Sequence, residues 1–445
     1  MPLDAEFLRA GRSAFITALL LAPSGLLGQS PGQWESVLAR LDRLESENRQ
    51  LRQEIEGLRR QISAPPPSAE EKLEIHDRRI EEQSQTKVES SQRFPLRVTG
   101  MALFNVFLNS RFAGGSDNPP LASRTAGSAT GAATFRQTVI GLEYRGPESL
   151  WGGKVRGSIY ADFFGGTTDP LNHVARVRTA SIELDWGTRS LLVGQEKPII
   201  APREPNSLAQ VGISPLTGAG NLWRWQPQVR FEQRVKLSDA ARLAVQLGLV
   251  QVNDEAPASY SEYGVSVSRR RPGLQGRFLL SRTIDDRRRV EIAPGFHTSV
   301  SHANGFSAPS HVFSLDWSAN PWAKLDFSGA FFAGQNVGHF GAPRQGFTFL
   351  YGRVVPVHSR GGWAQVALLA TSRLTFNLMG GRHDDRNADL LPGMIGKNTA
   401  GAANLMYRLA PNVILALEAL QVRTEYLGTG TRINNHYDLA VAYLF

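Results

Sequence analysis

The sequence predicts an antiparallel transmembrane β-barrel of 16 strands, an all-β fold preceded by an α-helical coiled coil. Three observations predict it. Polar and apolar residues alternate from about residue 94 onward, short and long connections alternate along the chain, and tryptophans lie beside the short ones. The mean hydropathy of −0.24 is ordinary for a soluble protein. It is also compatible with a barrel, because each strand shows only every second residue to lipid.

The alternation is clearest where charged residues occupy one face of a segment. In 154–163, Lys154, Arg156 and Asp162 share a face with Ser158 and Tyr160, and the residues between them are small or apolar. Segments 228–237 and 323–331 repeat this pattern of period two. A soluble sandwich also alternates, with its apolar face turned inward. The connections and tryptophans favour the membrane version.

Short connections are predicted at 187–188, 238–239, 320–321, 371–372 and 410–411, and long ones near 110–133, 198–226, 335–361, 382–397 and 425–436. Outer-membrane barrels have short periplasmic turns and long external loops. Counting segments gives 17 candidate strands, but chain ends on one side require an even number. Taking 253–272 as one external loop gives 16, a barrel with room for an aqueous lumen.

Aromatic residues support the same orientation. Trp151, Trp186, Trp317 and Trp322 lie beside predicted short turns, and indole prefers the membrane–water interface. The last segment, 437–445, alternates and ends in Phe445, which resembles the assembly signal of outer-membrane barrels. These patterns predict that residues 94–445 form the barrel.

The N-terminal residues predict export. Arg9 and Arg12 precede an apolar run at 14–22, and a Pro-Ser-Gly break follows it, so residues 1–28 are predicted to be a signal peptide. Cleavage after Ala22-x-Ser24 and cleavage at Gly28 both stay open. The run is too short to span a bilayer as a helix. A membrane anchor or a buried helix is the alternative interpretation.

Residues 30–62 predict a periplasmic coiled coil with a seven-residue apolar repeat. The stretch 40–45 resembles the pattern of trimeric coils in which Arg, an apolar residue, any two residues, an apolar residue and Glu follow one another. A core Asn usually favours dimers, so a trimer is preferred and a dimer stays open. Residues 63–93, which begin with three prolines, are predicted to be a stiff linker and a short helix. The core positions proposed for the coil are Leu41, Leu44, Asn48, Leu51, Ile55 and Leu58.

Charge is distributed unevenly. The net charge is +9, and residues 1–93 carry −2 of it, so the barrel segment carries about +11, mostly as arginine. A basic balance can indicate nucleic acid, anionic lipid or anionic solutes, and in a barrel the alternation turns it toward the lumen. No cysteine, HExxH pair or phosphate-loop motif is present. The sequence therefore predicts no cofactor, no metal and no nucleic-acid partner.

Several segments resemble the DcaP-type trimeric porins of Gram-negative bacteria. The matching pieces are 162–166, 176–184, 191–195 and 226–230, and the N-terminal coil belongs to the same architecture. The resemblance covers about 134–250 and the coil. It implies a 16-stranded homotrimer in outer-membrane lipid, whose basic lumen passes small anions such as dicarboxylates. Thr179 and Ser181 stand where that family often has His and Tyr, so the substrate preference can differ.

A porin of this kind needs a lumen, a constriction and a charge field, and no catalytic residue. Residues that neutralise one another and only hold the wall are the competing interpretation. Arg176 and Arg178 break the phase of their strand, so they face lipid unless a bulge intervenes or they lie above the hydrocarbon. The candidates for the pore lining are Lys154, Arg156, Asp162, Glu183, Asp185, Arg230, Glu232 and Arg234.

The segment 198–226 follows the fifth predicted strand, where a porin's third external loop folds inward. Its length and small residues suit a constriction loop, and an ordinary surface loop is the alternative. Its candidates are Arg203, Glu204, Asn221 and Arg224. Three functions are compatible with the sequence: a porin that favours anions, a structural tether whose coil reaches into the periplasm, and an outer-membrane hydrolase.

Overall fold

A computed structural model of the chain describes residues 42–44, 46–47, 49–53, 95–166, 173–255, 265–286, 288–341, 345–350 and 352–445. Within the strands, no side chain is described for residues 147–149. The chain divides between Thr86 and Lys87 into two units, which are considered separately.

The second unit is a closed antiparallel barrel. Its first half contains β1 (Leu96–Asn109), β2 (Thr130–Thr134), β3 (Val139–Leu150), β4 (Gly153–Gly165), β5 (Val174–Asp185), β6 (Arg189–Glu196), β7 (Gln226–Lys236), β8 (Ala241–Val250), β9 (Val267–Ser268) and β10 (Gly273–Thr283). Its second half contains β11 (Arg289–Ala303), β12 (Phe306–Trp322), β13 (Leu325–Gln335), β14 (Phe347–Leu350), β15 (Arg353–Pro356), β16 (His358–Leu369), β17 (Leu374–Asp385), β18 (Ile395–Ala410), β19 (Val413–Tyr426) and β20 (Gly430–Leu444).

Sixteen of these strands form the wall, as the sequence predicts. Each pairs with its neighbour in the chain, and β1 pairs with β20, from Met101↔Leu444 to Asn109↔His436, which closes the sheet. β2 and β3 share the partner β1 and act as one interrupted strand. β9 adds a two-residue pairing to β11, while β14 and β15 form a separate hairpin. Segment 251–272 connects β8 to β10, so treating it as one connection gives the right strand number.

The alternation separates an outward apolar face from an inward polar one. In β20, Tyr437, Leu439 and Val441 are exposed on the outer surface, whereas His436 and Asp438 are buried inside. An outward row of apolar side chains recurs on the neighbouring strands. Such a face is stable in hydrocarbon, and a closed barrel leaves no unpaired edge in it.

Two ends of the barrel can be distinguished by their connections. The turn end carries the links between β3 and β4, β5 and β6, β7 and β8, β10 and β11, β12 and β13, β16 and β17, and β18 and β19. The loop end carries the long segments 110–129, 197–225, 251–266, 336–346 and 386–394. Trp151 and Trp322 are exposed at the turn end, where the sequence predicts an aromatic girdle.

Two predicted connections are wrong. The long loop predicted at 425–436 is a turn of three residues, 427–429, because β19 and β20 extend beyond the apolar band. Polar residues such as Arg423 and Arg432 occupy these strand ends, and polar residues resemble loop in a sequence. The short turn predicted at 320–321 lies at 323–324, because an irregularity between Ala319 and Trp322 lengthens β12.

The first unit is described only in part. Residues 42–44, 46–47 and 49–53 are helical, and Leu44 and Leu51 expose more than half of their surface. Leu41, Asn48, Ile55 and Leu58 lie outside the described residues, as do the predicted signal peptide, linker and second helix, so the coiled coil stays a prediction. Among the described residues, no helix is both long and apolar enough to cross a membrane.

Candidate functional site

Residues 197–225, between β6 and β7, lie inside the barrel and are called the inner loop here. Gln137 shows how closely the wall holds it: its side chain donates to the Ala209 carbonyl at 2.8 Å and accepts from the amides of Val211 and Gly212 at 2.7 and 2.8 Å. Further hydrogen bonds and ion pairs come from eight wall strands, through Asn105, Arg176, Arg178, Gln275, Glu291, Asp316, Gln365, Asn398, Asn404 and Glu418. The loop therefore narrows the lumen.

On β16 and β17 the backbone of the inner loop also comes very close to the backbone of the wall. A Cβ atom on Gly381 would lie 2.1 Å from the Ala219 carbonyl oxygen, and one on Gly220 would lie 2.2 Å from that of Gly362. Gly220 also has a φ of +99°, which L side chains rarely adopt. Glycine pairs inside the strands, at 361–362 and 380–381, are the sequence signal for this close approach.

A buried ion cluster fixes the first part of the inner loop. Arg203 donates to Asp316 at 2.6 Å and also pairs with Glu291. Arg277 of β10 reaches the same Asp316 carboxylate at 2.7 and 2.8 Å. Because both oxygens of Asp316 are occupied by guanidinium groups, Arg203 holds the loop against the wall instead of pointing freely into the lumen.

A second cluster explains the phase break in β5. The pairing skips Arg178 between Tyr160↔Thr179 and Ala161↔Val177, so a β-bulge brings Arg176 and Arg178 onto the same inward face as Thr179. Arg176 donates to Asp162 at 3.0 and 2.6 Å, and Arg178 donates to it at 3.1 Å. The same guanidinium groups donate to the Gly212 and Val211 carbonyls of the inner loop. The sequence predicts that these arginines face lipid unless a bulge intervenes. The bulge is present, and both arginines face the lumen.

The two arginines of the bulge stack on aromatic rings. The guanidinium carbons of Arg176 and Arg178 lie 4.9 and 4.6 Å from the ring centre of Trp225, and Arg136 lies 4.5 Å from that of Phe164. Cations over aromatic faces are attracted by the ring quadrupole. These groups adjoin a loop-end cavity of about 760 Å³, whose lining includes Phe164, Arg176, Trp223, Arg224, Trp225 and Tyr426.

Charge accumulates below the inner loop, at the turn end of β1, β3–β5, β7 and β8. Cross-strand register places the basic and acidic residues on the inward face, for example Arg156↔Glu183 and Lys154↔Asp185. Among the described residues the basic set is Arg97, Arg145, Lys154, Arg156, Arg230, Arg234, Lys236 and Arg242. The acidic set is Glu143, Glu183, Asp185 and Glu232, so cations outnumber anions two to one.

Some of these charges neutralise one another. Arg234 contacts Glu232 at 2.6 Å, Asp185 at 3.0 Å and Glu183 at 3.8 Å. Arg156 lies 3.2 Å from Asp185. No ion pair within 4.0 Å joins Lys154 or Arg230 to another described residue. The predicted pore lining thus divides into a paired set and an unpaired basic remainder.

The other predicted loop residues have different surroundings. Glu204 pairs with Lys197 at 3.2 Å, and Arg224 pairs with the exposed Glu255 at 3.2 Å beside the loop-end cavity. Asn221 is buried and donates to Ser214 and Pro215 inside the loop, so its contacts maintain the loop conformation. Within the described part of the chain, no three His, Asp or Glu side chains are arranged to hold a metal ion.

The opposite wall holds the inner loop through polar groups that sequence reasoning missed. Glu418 of β19 accepts from Ser207 at 2.6 Å and from Asn404 at 2.9 Å. Asp438 lies directly across from it in β20 and accepts from Asn105 at 3.0 Å. Alternation identifies these as inward positions, but it does not indicate which of them meet a loop.

An external clamp joins two other loops at the loop end. Asp254 pairs with His339 at 2.9 Å and accepts from Ser301 at 2.5 Å. Burial alone would raise the pKa of Asp254, but the hydrogen bonds from His339, Ser301 and Asn336 hold that pKa below its ordinary value. The next residue in the loop after His339, Phe340, accepts from the backbone of Trp223 and so supports the inner loop from above.

We expect Asp162→Asn to lower the thermal stability of the barrel strongly. Two guanidinium groups would lose the buried carboxylate that compensates them, and breaking a buried pair costs about 3–5 kcal/mol. The temperature at which the heated protein loses its compact migration in detergent gels measures the effect.

Asp384→Asn is the matched control for this prediction. Asp384 also lies near two arginines, Arg382 at 2.5 Å and Arg360 at 3.8 Å, but more than half of each arginine side chain is exposed. Exposed pairs contribute about 0–1 kcal/mol, so little change is expected. Equal losses in the two variants would contradict the assigned role of Asp162.

Comparison with known proteins gives a likeness of fold. No protein-family model and no curated protein sequence matches the chain. The outer membrane channel DcaP of Acinetobacter baumannii is similar with a TM-score of 0.64 at 16% identity, covering 79% of this chain and 97% of that one. An anion-selective porin from Comamonas acidovorans gives 0.56 at 10% identity, covering 79% and 99%. OprB of Pseudomonas putida gives 0.51 at 9%, covering 80% and 96%.

These identities are low, so the likeness establishes the fold. The segments that resemble DcaP-type porins in sequence lie within the part of the chain that folds in this way. A closed barrel of 16 strands with a loop folded into its lumen is also what the geometry shows independently of any comparison. The chain has the outer-membrane porin fold of DcaP.

Proposed function

We propose that the chain is an outer-membrane porin whose water-filled lumen passes small solutes and favours anions. The observation that carries the proposal is the two-to-one excess of inward-facing cations over anions at the turn end of β1, β3–β5, β7 and β8. In a narrow pore bounded by low-dielectric walls, such an excess lowers the electrostatic cost of bringing an anion in. Lys154 and Arg230 contribute most directly, because no described carboxylate pairs with them.

The inner loop supports a selective channel more than a wide one. It crosses the lumen between the loop-end cavity and the basic turn end, so a solute meets Arg176 and Arg224 before it reaches Arg230. Acidic residues such as Glu183 and Glu232 accompany the cations and would orient a dipolar solute. The resemblance to DcaP-type porins suggests dicarboxylates as the solute class, and two carboxylates would match separate arginines.

The proposed assembly is a homotrimer in outer-membrane lipid, with the predicted coil in the periplasm. Leu44 and Leu51 are core positions in the predicted heptads, and both are exposed in a single chain. Exposed leucines at heptad spacing are expected to pack against other copies of the same helix. No enzymatic role is proposed, since a channel requires no catalytic group.

Planar-bilayer recordings of the purified full-length protein test the proposal. We expect conductance in steps of three and, across a potassium chloride gradient, a reversal potential of the sign that indicates anion preference. Added succinate should reduce the chloride current if dicarboxylates bind in the lumen. A barrel that inserts without conducting would favour a structural tether, and cation preference would refute the charge argument.

A further inference from the structure

Three consecutive arginines lie outside the barrel at the loop end. Arg269, Arg270 and Arg271 follow β9 directly and are separated from β10 by Pro272, and all three are exposed. They are called the arginine rim here. Because β9 pairs with β11 beyond the last residues of β8, the rim lies above the apolar band of the outer wall.

An apolar groove runs beneath the arginine rim. Val193, Val229 and Leu249 lie in register on β6, β7 and β8, and each exposes about half of its side chain on the outer surface. A depression in the outer surface adjoins this row, and Gly194 and Pro227 also line it. The depression has a volume of about 740 Å³, and its lining includes all three arginines.

The two described carboxylates of the preceding loop, Asp254 and Glu255, are engaged elsewhere. Asp254 is occupied by His339 and Ser301, and Glu255 pairs with Arg224. Arg269 donates to the Asp254 backbone carbonyl at 2.5 Å, which fixes the base of the rim. Neither Arg270 nor Arg271 makes an ion pair within 4.0 Å to any residue in the described part of the chain. Within the described residues, these two exposed arginines therefore have no carboxylate partner.

We propose that the arginine rim and the groove form a binding site for a phosphorylated lipid of the external leaflet. This rests on the proposed function only for the membrane location and its orientation. Guanidinium groups bind phosphate oxygens through paired hydrogen bonds, and the apolar row offers a surface for acyl chains directly below. A free phosphate would use the arginines alone, whereas the groove and the rim together fit a lipid.

The proposed site needs both the arginine rim and the apolar groove beneath it. Arginine near a membrane surface attracts anionic headgroups. The groove is on the lipid-facing side of β6–β8, so a bound lipid would not enter the lumen. Occupation of the site is therefore expected to leave conduction unchanged and to hold the rim against the barrel wall.

The double variant Arg270→Gln/Arg271→Gln tests the proposal in the full-length protein. The probe is bisphosphorylated lipid A in detergent micelles, with binding followed by native mass spectrometry. We expect its affinity to fall about tenfold or more, since two charged contacts are lost. The matched control is Arg282→Gln/Arg373→Gln, which removes two exposed arginines near the turn end and should change the affinity less than about twofold.

Two further binding measurements distinguish a phosphorylated lipid from free phosphate as the ligand. Lipid A without phosphates should bind as weakly as the double variant, and millimolar inorganic phosphate should not displace lipid A. Unchanged affinity in the double variant, or displacement by phosphate alone, would overturn the lipid site. Conductance and ion preference of the double variant should equal those of the unaltered protein. Failure of the unaltered protein to conduct would refute the porin proposal without affecting the lipid result.

Discussion

Replacing residues 197–225 with a two-residue turn should raise the unit conductance at least about twofold, because the inner loop occupies the lumen and conduction depends on the open cross-section. The hydrogen-bonded pairing of β6 with β7 permits this deletion. Glu196 and Gln226 are cross-strand partners, so β6 and β7 can be joined directly without moving either strand. Single-channel recording in planar bilayers measures the effect.

A single substitution in the loop supplies the control for this replacement. Asn221→Ala removes hydrogen bonds inside the inner loop but leaves its wall contacts in place, so conductance should change little while loop order decreases. Should the shortened protein fold with its normal conductance, the inner loop would not form the constriction. Heat-dependent migration in detergent gels shows whether the barrel has folded.

The triple variant Lys154→Glu/Arg156→Glu/Arg230→Glu should convert anion preference into cation preference. It changes the charge of the inward face by six units where the lumen is lined by strands, and the local potential should change sign. We expect the reversal potential in a salt gradient to change sign as well. High ionic strength should weaken the difference, because salt screens exposed charges.

Its control makes the same change in net charge outside the lumen. Arg270→Glu/Arg271→Glu/Arg282→Glu replaces three exposed arginines on the outer surface of the barrel. Ion preference should stay close to that of the unaltered protein. A comparable shift in both triple variants would mean that overall charge, and not the lumen-facing set, determines the preference.

The barrel could be predicted from the sequence because its physics is local. Alternation, short turns and aromatic residues each follow from a strand that meets lipid on one side and polar surroundings on the other. The requirement for an even strand number also identifies segment 253–272 as one connection and not as a wall strand. The prediction of a long loop at 425–436 is wrong because strands that extend beyond the hydrocarbon no longer alternate between polar and apolar residues. That alternation is the pattern by which a strand is recognised in the sequence.

The interior could be predicted only in part. Alternation places Lys154 and Arg230 on the inward face, and it places Arg277 and Asp316 there equally well. Which inward residues meet the inner loop depends on how a segment of 29 residues folds through space, and that information is not local. Arg203 illustrates the consequence, since the sequence places it in the predicted constriction loop but does not indicate that it pairs with Asp316 and Glu291 of the wall.

Attachment of the inner loop to eight strands makes it a cross-brace of the cylinder. The loop would move only together with the wall. The pore diameter should therefore stay constant, and the loop should not open and close as a mobile gate. Discrimination between solutes would then depend on how well they fit a rigid constriction. Substitutions in the inner loop could change that selectivity during evolution without altering the barrel wall.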